Sequence, residues 1–187
     1  MNLKAAHIMV LCSFLIFSCK DDVLPKPDAF LALNYKAPEY SLYGSDDCSY
    51  EFMKNALAVV RYKSDCSAVL EYPALDAALY LTYRPVTNNI KELLIDAQKL
   101  TYEHVIKADN ISEEKYFNEE HNVYGMFYDV AGNAASQSQF YVTDSTAHFI
   151  TGSIYFNVKP NYDSILPAAA YMKNDIRHIM ESLRWKK

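Results

Sequence analysis

Hydrophobic positions along this chain recur with two periods, one near two residues and one near 3.6. Phe30, Ala32 and Asn34 alternate with Leu31, Leu33 and Tyr35, which predicts a first strand ended by Pro38. Leu57 to Tyr62 and Ser67 to Tyr72 predict two short strands on either side of Cys66. From Ala77 to Tyr83, Leu79, Leu81 and Tyr83 alternate with Ala78, Tyr80 and Thr82 until Pro85 ends the run. The period then lengthens. Ile90, Leu93, Leu94, Ala97, Leu100, Thr101, His104, Val105 and Ala108 form one apolar stripe of a helix, with Asn89 and Glu92 spaced as a capping box and Glu103 and Lys107 as an i,i+4 ion pair.

Ile111 to Asn122 is charged and reads as a loop. Val123 to Val130 and Gln139 to Thr143 predict two strands, and the small polar residues between them, around Gly132 and Asn133, predict an exposed hairpin tip. Asp144-Ser145-Thr146 reads as a second turn. His148 to Val158 then reads as a long strand with His148, Ile150, Gly152, Ile154, Phe156 and Val158 on one face, stopped by Pro160. A final helix follows, capped by Ser164, with Pro167 in its first turn and Ile165, Ala169, Met172, Ile176, Ile179, Met180 and Leu183 on its buried face. Trp185 is expected to staple its end to the body. Strands, helix, strand meander and helix in that order predict an α+β domain, an antiparallel β-sheet covered by two amphipathic helices, over 28–187.

The start of the chain has a different character. Lys4, the apolar run Ile8 to Phe17 and the small Ser18 read as a secretory signal over 1–18, too short to span a bilayer. Cys19 follows at once and resembles the acylated cysteine of a bacterial lipobox. Residues 19–27 are then a lipidated, flexible, proline-bearing tether. Two or more acyl chains give stable attachment where one does not, so lipid alone would hold the domain at a membrane.

Composition narrows the partners. With 51% hydrophobic and 22% charged residues, the chain is an ordinary globular protein rather than a disordered one. Without the signal it carries 17 basic against 23 acidic side chains, and its longest basic run is Lys186-Lys187, which argues against binding nucleic acid. Cys48 and Cys66 remain after Cys12 and Cys19 are accounted for. In an oxidising compartment they read as a disulfide, with two buried free thiols as the alternative.

Candidate chemistry is sparse. Four isolated glycines build no phosphate-cradling loop, and His104, His121, His148 and His178 do not pair at metal-ligand spacing, so neither a cofactor nor a metal is expected. Asp144, Ser145 and His148 have the residue types of a hydrolase triad, but Ser145 lacks the Gly-x-Ser-x-Gly elbow and reads better as a turn residue. Glu119-Glu120-His121 reads as a solvated face. The 16 tyrosines suit a half-buried core, and a share of them suits a contact surface. Such a surface is expected at the 131–138 tip and the 159–163 connection, through Gly132, Asn133, Ser136, Gln137, Lys159, Asn161, Tyr162 and Asp163. Tyr35, Tyr40 and Tyr43 precede Cys48 in a stretch that reads as loop.

Taken together, several segments carry a family resemblance. NNIKELLIDAQKLTYEH from Asn88, VYGMFYDVAGNAASQSQFYVTDSTAHFITGSIYF from Val123, KPNYDSILP from Lys159 and the closing ESLRW resemble the gliding-motility lipoprotein GldD family of Bacteroidota. Cys19 with Lys20-Asp21-Asp22, the Leu24 to Pro27 tether, and Cys48 and Cys66 fit it as well. The resemblance implies an outer-membrane-associated lipoprotein that serves gliding and the type IX secretion machinery. Its implied partners are other gliding lipoproteins and secretion components. No catalytic motif comes with the family, so a non-enzymatic role is expected. The order of strands and helices is also loosely similar to PsbP-like domains, which act as assembly factors or small-ligand modules, and an envelope hydrolase is a third class.

Overall fold

Segments rich in Tyr, Val, Ile and Phe pair as strands in the computed structural model, which describes residues 35–103, 108–157 and 162–186. The strands are β1 (Tyr40–Gly44), β2 (Tyr50–Asn55), β3 (Val59–Tyr62), β4 (Ala68–Tyr72), β5 (Ala77–Pro85), β6 (Ala108–Asn118), β7 (Val123–Gly132), β8 (Ser138–Thr143), β9 (His148–Phe156) and β10 (Arg184–Trp185). The helices are α1 (Ile90–Tyr102) and α2 (Tyr162–Ser182). Seven strands form one sheet in the order β3-β4-β5-β9-β8-β7-β6, and β1-β2-β10 form a second. All pairings are antiparallel. This is the α+β class expected from the order of elements.

Register decides which side chains share a face. Leu79 faces Ile154, Leu81 faces Gly152, and Phe140 and Val142 lie across from Gly152 and Ile150, so one face of the large sheet is continuously apolar. On that face sit α2, through Met172, Ile176, Ile179 and Met180, and β2, through Tyr50 and Phe52. All six side chains are at most 1% exposed. A fully buried side chain of this size contributes about 1.5–3 kcal/mol, so this layer is the main source of stability. The opposite face carries Tyr80, Thr82, Thr151 and Phe149, and α1 crosses part of it.

A disulfide joins the two sheets. Cys48 ahead of β2 and Cys66 in the β3–β4 turn are bonded with their Cα atoms 5.6 Å apart. The Tyr50 hydroxyl donates to the Cys66 carbonyl at 2.6 Å beside it. Tyr43 stacks on Tyr62 at 5.7 Å and Tyr50 on Tyr83 at 5.9 Å. Burial, and then the neighbouring Tyr43, pushes the Tyr62 hydroxyl up to about 12. Four of the 16 tyrosines therefore pack at the seam between the sheets.

Several elements differ from their sequence expectation. The predicted strand Phe30–Tyr35 falls outside the described residues except for Tyr35, which is not in a strand. Tyr40 and Tyr43, read as loop, belong to β1, which is paired along its whole length with β2. Residues 111–118, also read as loop, lie in β6. Charge misled there: β6 is the edge of the large sheet, where Glu113 accepts from the Tyr102 hydroxyl of α1 and Glu114 from Arg177 of α2 at 2.7 Å. Neither face of such a strand has to be apolar.

Both helix starts also depart from the pattern. The Asn89 side chain accepts from the Thr87 amide at 2.7 Å instead of capping α1, so no capping box forms. That helix ends at Tyr102, and Ala108 already belongs to β6. His104, Val105 and Lys107 lie outside the described residues. Its broad apolar stripe is only partly used, with Ala97 and Thr101 buried and Leu100 39% exposed. The second helix begins at Tyr162, so Ser164 lies inside it and Pro167 is its sixth residue.

Candidate partner surface and C-terminal cleft

The expected contact surface is only partly on the surface. Gly132 ends β7 at φ +104°, and a Cβ there would lie 2.7 Å from the Asp109 amide nitrogen, so the position requires glycine. Beyond it the chain turns inward. Ala134, Ser136, Gln137 and Ser138 are buried, the Gln137 amide donates to the Ala134 carbonyl at 2.8 Å, and the Ser136 hydroxyl donates to the Ser138 carbonyl at 3.2 Å. The small Ala134, Ser136 and Ser138 let the loop tuck in, and the Gln137 amide and Ser136 hydroxyl bond within it while the Gln137 side-chain oxygen is buried without a partner, which corrects the reading of 131–138 as an exposed tip. Gly132, Ser136 and Gln137 are interior positions that a partner does not reach in this fold.

Asn133 alone among the four tip candidates is exposed, and the fold joins it to the other loop. Its side-chain oxygen accepts from the Tyr162 amide at 2.9 Å, which occupies one of the amides that every helix start leaves without an intrahelical partner. Tyr162 is half-buried and Asp163 exposed, so Asn133, Tyr162 and Asp163 form one small polar surface. Cys19, Lys159 and Asn161 lie outside the described residues.

At the other end of the molecule is a feature that was read from the sequence only in pieces. Leu183 is fully buried, the Met53 amide donates to the Ser182 hydroxyl at 2.9 Å, and β10 pairs with β2, placing Arg184 opposite Glu51. This fixes Trp185, whose indole N–H donates to the Asn122 carbonyl at 3.1 Å and whose ring stacks on His148 at 5.0 Å. The Trp185 staple is thus as expected. Nδ1 of His148 lies 2.9 Å from the Tyr83 hydroxyl. Together with Glu51, Glu120, His121 and Arg184, the two rings line a cleft of about 420 Å3.

Asp144 borders the cleft but faces its own turn. Its carboxylate accepts from the amides of Thr146, Ala147 and His148 at 3.0, 2.9 and 2.8 Å. Burial pushes its pKa up, but these amides outweigh that and hold it below the usual value. Ser145 sits at φ 67°, at the corner of the turn. The three residues with hydrolase-triad chemistry are therefore one hydrogen-bonded turn leading into a strand. Among the described residues no group of three His, Cys, Asp or Glu is placed to hold a metal, and no helix is long and apolar enough to cross a membrane.

A third polar cluster is sealed inside. Asp175 of α2 is 1% exposed, and its two oxygens accept from the Tyr72 hydroxyl at 2.5 Å and the Asn55 amide at 2.9 Å. The same Asn55 amide donates to the Tyr171 hydroxyl at 3.0 Å. Burial, then the charge of Asp175, pushes the Tyr72 hydroxyl well above the ordinary phenol range.

Comparison with known families identifies the chain. The sequence profile described as gliding motility lipoprotein GldD matches residues 20–185. The chain belongs to the GldD family. Membership makes it a lipoprotein of gliding motility, lipid-anchored in the cell envelope. No curated protein matches the chain significantly. Among solved structures, it is similar to cyanobacterial PsbP (CyanoP) from Synechocystis sp. PCC 6803, at 9% identity over 84% of this chain and 98% of that one, with a TM-score of 0.49.

The GldD-like segments have identifiable places in the fold. Val123 to Phe156 supplies β7, β8 and β9, which lie side by side in the large sheet. ESLRW closes α2 and supplies β10, with its last three residues buried, paired and stacked in turn.

Proposed function

We propose that the protein is a non-enzymatic assembly component of the outer membrane, anchored through lipid on Cys19, which serves gliding motility and the type IX secretion machinery. The observation that carries this reading is the extent of the GldD match. It runs from residue 20, the position after Cys19, to residue 185, so the tether and the folded domain lie within one family match, and the lipobox-like Cys19 immediately before it supports anchoring at that residue. Partners are other gliding lipoproteins and secretion components. The exposed Asn133 and Asp163 and the half-buried Tyr162, with Lys159 and Asn161 of the adjoining connection, are the residues assigned to contact them.

The test is complementation of a strain lacking the gene, using the wild-type chain, Cys19→Ser, and a triple charge variant, Asn133→Lys with Tyr162→Lys and Asp163→Lys. Membrane fractionation, colony spreading and release of type IX cargo are read together. Cys19→Ser should leave the outer-membrane fraction and lose both activities. The triple variant should stay in the membrane and lose secretion, while loss of the Asn133 contact to the Tyr162 amide costs only about 1 kcal/mol and leaves the domain folded, as a thermal melt checks. Full secretion by Cys19→Ser would refute the anchoring, and full secretion by the triple variant would refute the contact surface.

A further inference from the structure

None of the residues assigned to partner contact lines the cleft at the C-terminal end. At about 420 Å3 it falls within the range of small-molecule sites, about 300–1,000 Å3. Its aromatic wall is rigid, because the Trp185 indole is tied to the Asn122 carbonyl and His148 to the Tyr83 hydroxyl. Three of its charged side chains are free. Among the described residues, the side chains of Glu51, Glu120 and Arg184 have neither a hydrogen-bond nor an ion-pair partner, although all three line the same hollow. Asp144 does not add to them, since one of its oxygens accepts three amides of its own turn and the other the Thr146 hydroxyl. The ammonium of Lys186 is likewise held, donating to the Ser45 carbonyl.

We propose that this cleft binds a saccharide. Carboxylates only accept hydrogen bonds and a guanidinium only donates them, whereas each hydroxyl of a sugar does both, so one neutral ligand satisfies both kinds of free group. The CH face of a sugar ring packs on an aromatic ring, and Trp185, stacked on His148, supplies one in the lining of the cleft. A ligand of net charge fits less well: an anion meets Glu51 and Glu120, and a cation meets Arg184. Of the three elements that supply these groups, β2 and the end of the chain are joined by the β2–β10 pairing and the β6–β7 turn by the Trp185 indole bond to the Asn122 carbonyl, so the site is preformed.

The chain provides its own reporter, because Trp185 is the only tryptophan in the sequence and its emission reads this cleft alone. The mature full-length protein is titrated with cellobiose, maltose and N,N′-diacetylchitobiose, and with the dipeptide alanyl-alanine as the competing class. Calorimetry on the same samples detects binding that leaves emission unchanged. The expected result is saturable binding of at least one disaccharide, weakened about tenfold or more by Glu120→Gln and by Arg184→Ala, at unchanged melting temperature. No binding of any of the three disaccharides by either method overturns the proposal. So does binding that both variants leave intact, or saturation by the dipeptide alone.

Discussion

Asp175 is the most consequential polar residue of the interior, and replacing its partners tests whether it organises the contact between α2 and the two sheets. Its oxygens accept from Tyr72 of the large sheet and Asn55 of the small one, so three elements meet on one side chain. A hydrogen bond to a charged group is worth about 1.5–3 kcal/mol, and both Tyr72 and Asp175 are at most 1% exposed, so water cannot replace a lost partner. Tyr72→Phe should therefore cost about 2 kcal/mol. Asp175→Leu should cost more, about 3–4 kcal/mol, since it strands the Tyr72 hydroxyl and one of the two contacts of the Asn55 amide. In the double variant nothing is left to strand between the pair, and its cost should fall short of the sum by about 2 kcal/mol. For a chain of 187 residues each kcal/mol moves the melting temperature by about 2–4 °C, so Tyr72→Phe should melt about 4–8 °C below wild type. Thermal and urea melts followed by circular dichroism give all four corners of the cycle. A Tyr72→Phe variant that melts with wild type, or two costs that simply add, would refute the assignment.

Other expectations rest on equally local features. Reducing the Cys48–Cys66 disulfide reopens a loop with a sequence separation of 18, worth about 3 kcal/mol in the chain-entropy model, and melts with and without dithiothreitol should differ accordingly. A Cβ on Gly125 would lie 2.0 Å from the Tyr141 carbonyl oxygen, and one on Gly152 2.1 Å from the Phe140 ring. Overpacking typically costs about 1–3 kcal/mol, so Gly152→Ala should melt low, and Gly125→Ala lower still because backbone yields less than a ring; the reverse order in a thermal-shift assay would contradict the packing. Asp144 has its folded-state pKa held below its ordinary value of 3.8, so its contribution is present above that pH and is lost as pH falls through the lower folded value. Asp144→Asn should accordingly show a shallower acid limb in stability-versus-pH melts, and an unchanged limb would show that the turn does not favour the charged form.

Periodicity alone determined most of the sheet and both helices of this protein. β3, β4, β5, β7, β8 and β9 lie within a residue or two of their sequence-predicted spans, because each has a face that must be apolar wherever it ends up. The membrane address and the GldD-family resemblance also reside in local residue order, around Cys19 and from Val123 to Phe156. Tertiary structure decided the exceptions. β6 is legible only from its pairing with β7, since an exposed edge strand can carry Glu113, Glu114 and Lys115 without a burial cost. At the start of α2 the Tyr162 amide is taken by Asn133, 29 residues earlier in the chain, a contact that no local pattern records. Ser136 and Gln137 looked exposed because small polar residues suit a turn equally well inside or outside, and only the packed loop distinguishes the two. The cleft around Trp185 had no signal at all in the order of residues. Glu51, Glu120 and Arg184 are far apart in the chain, and no periodicity records a contact that arises when the last strand pairs with the second.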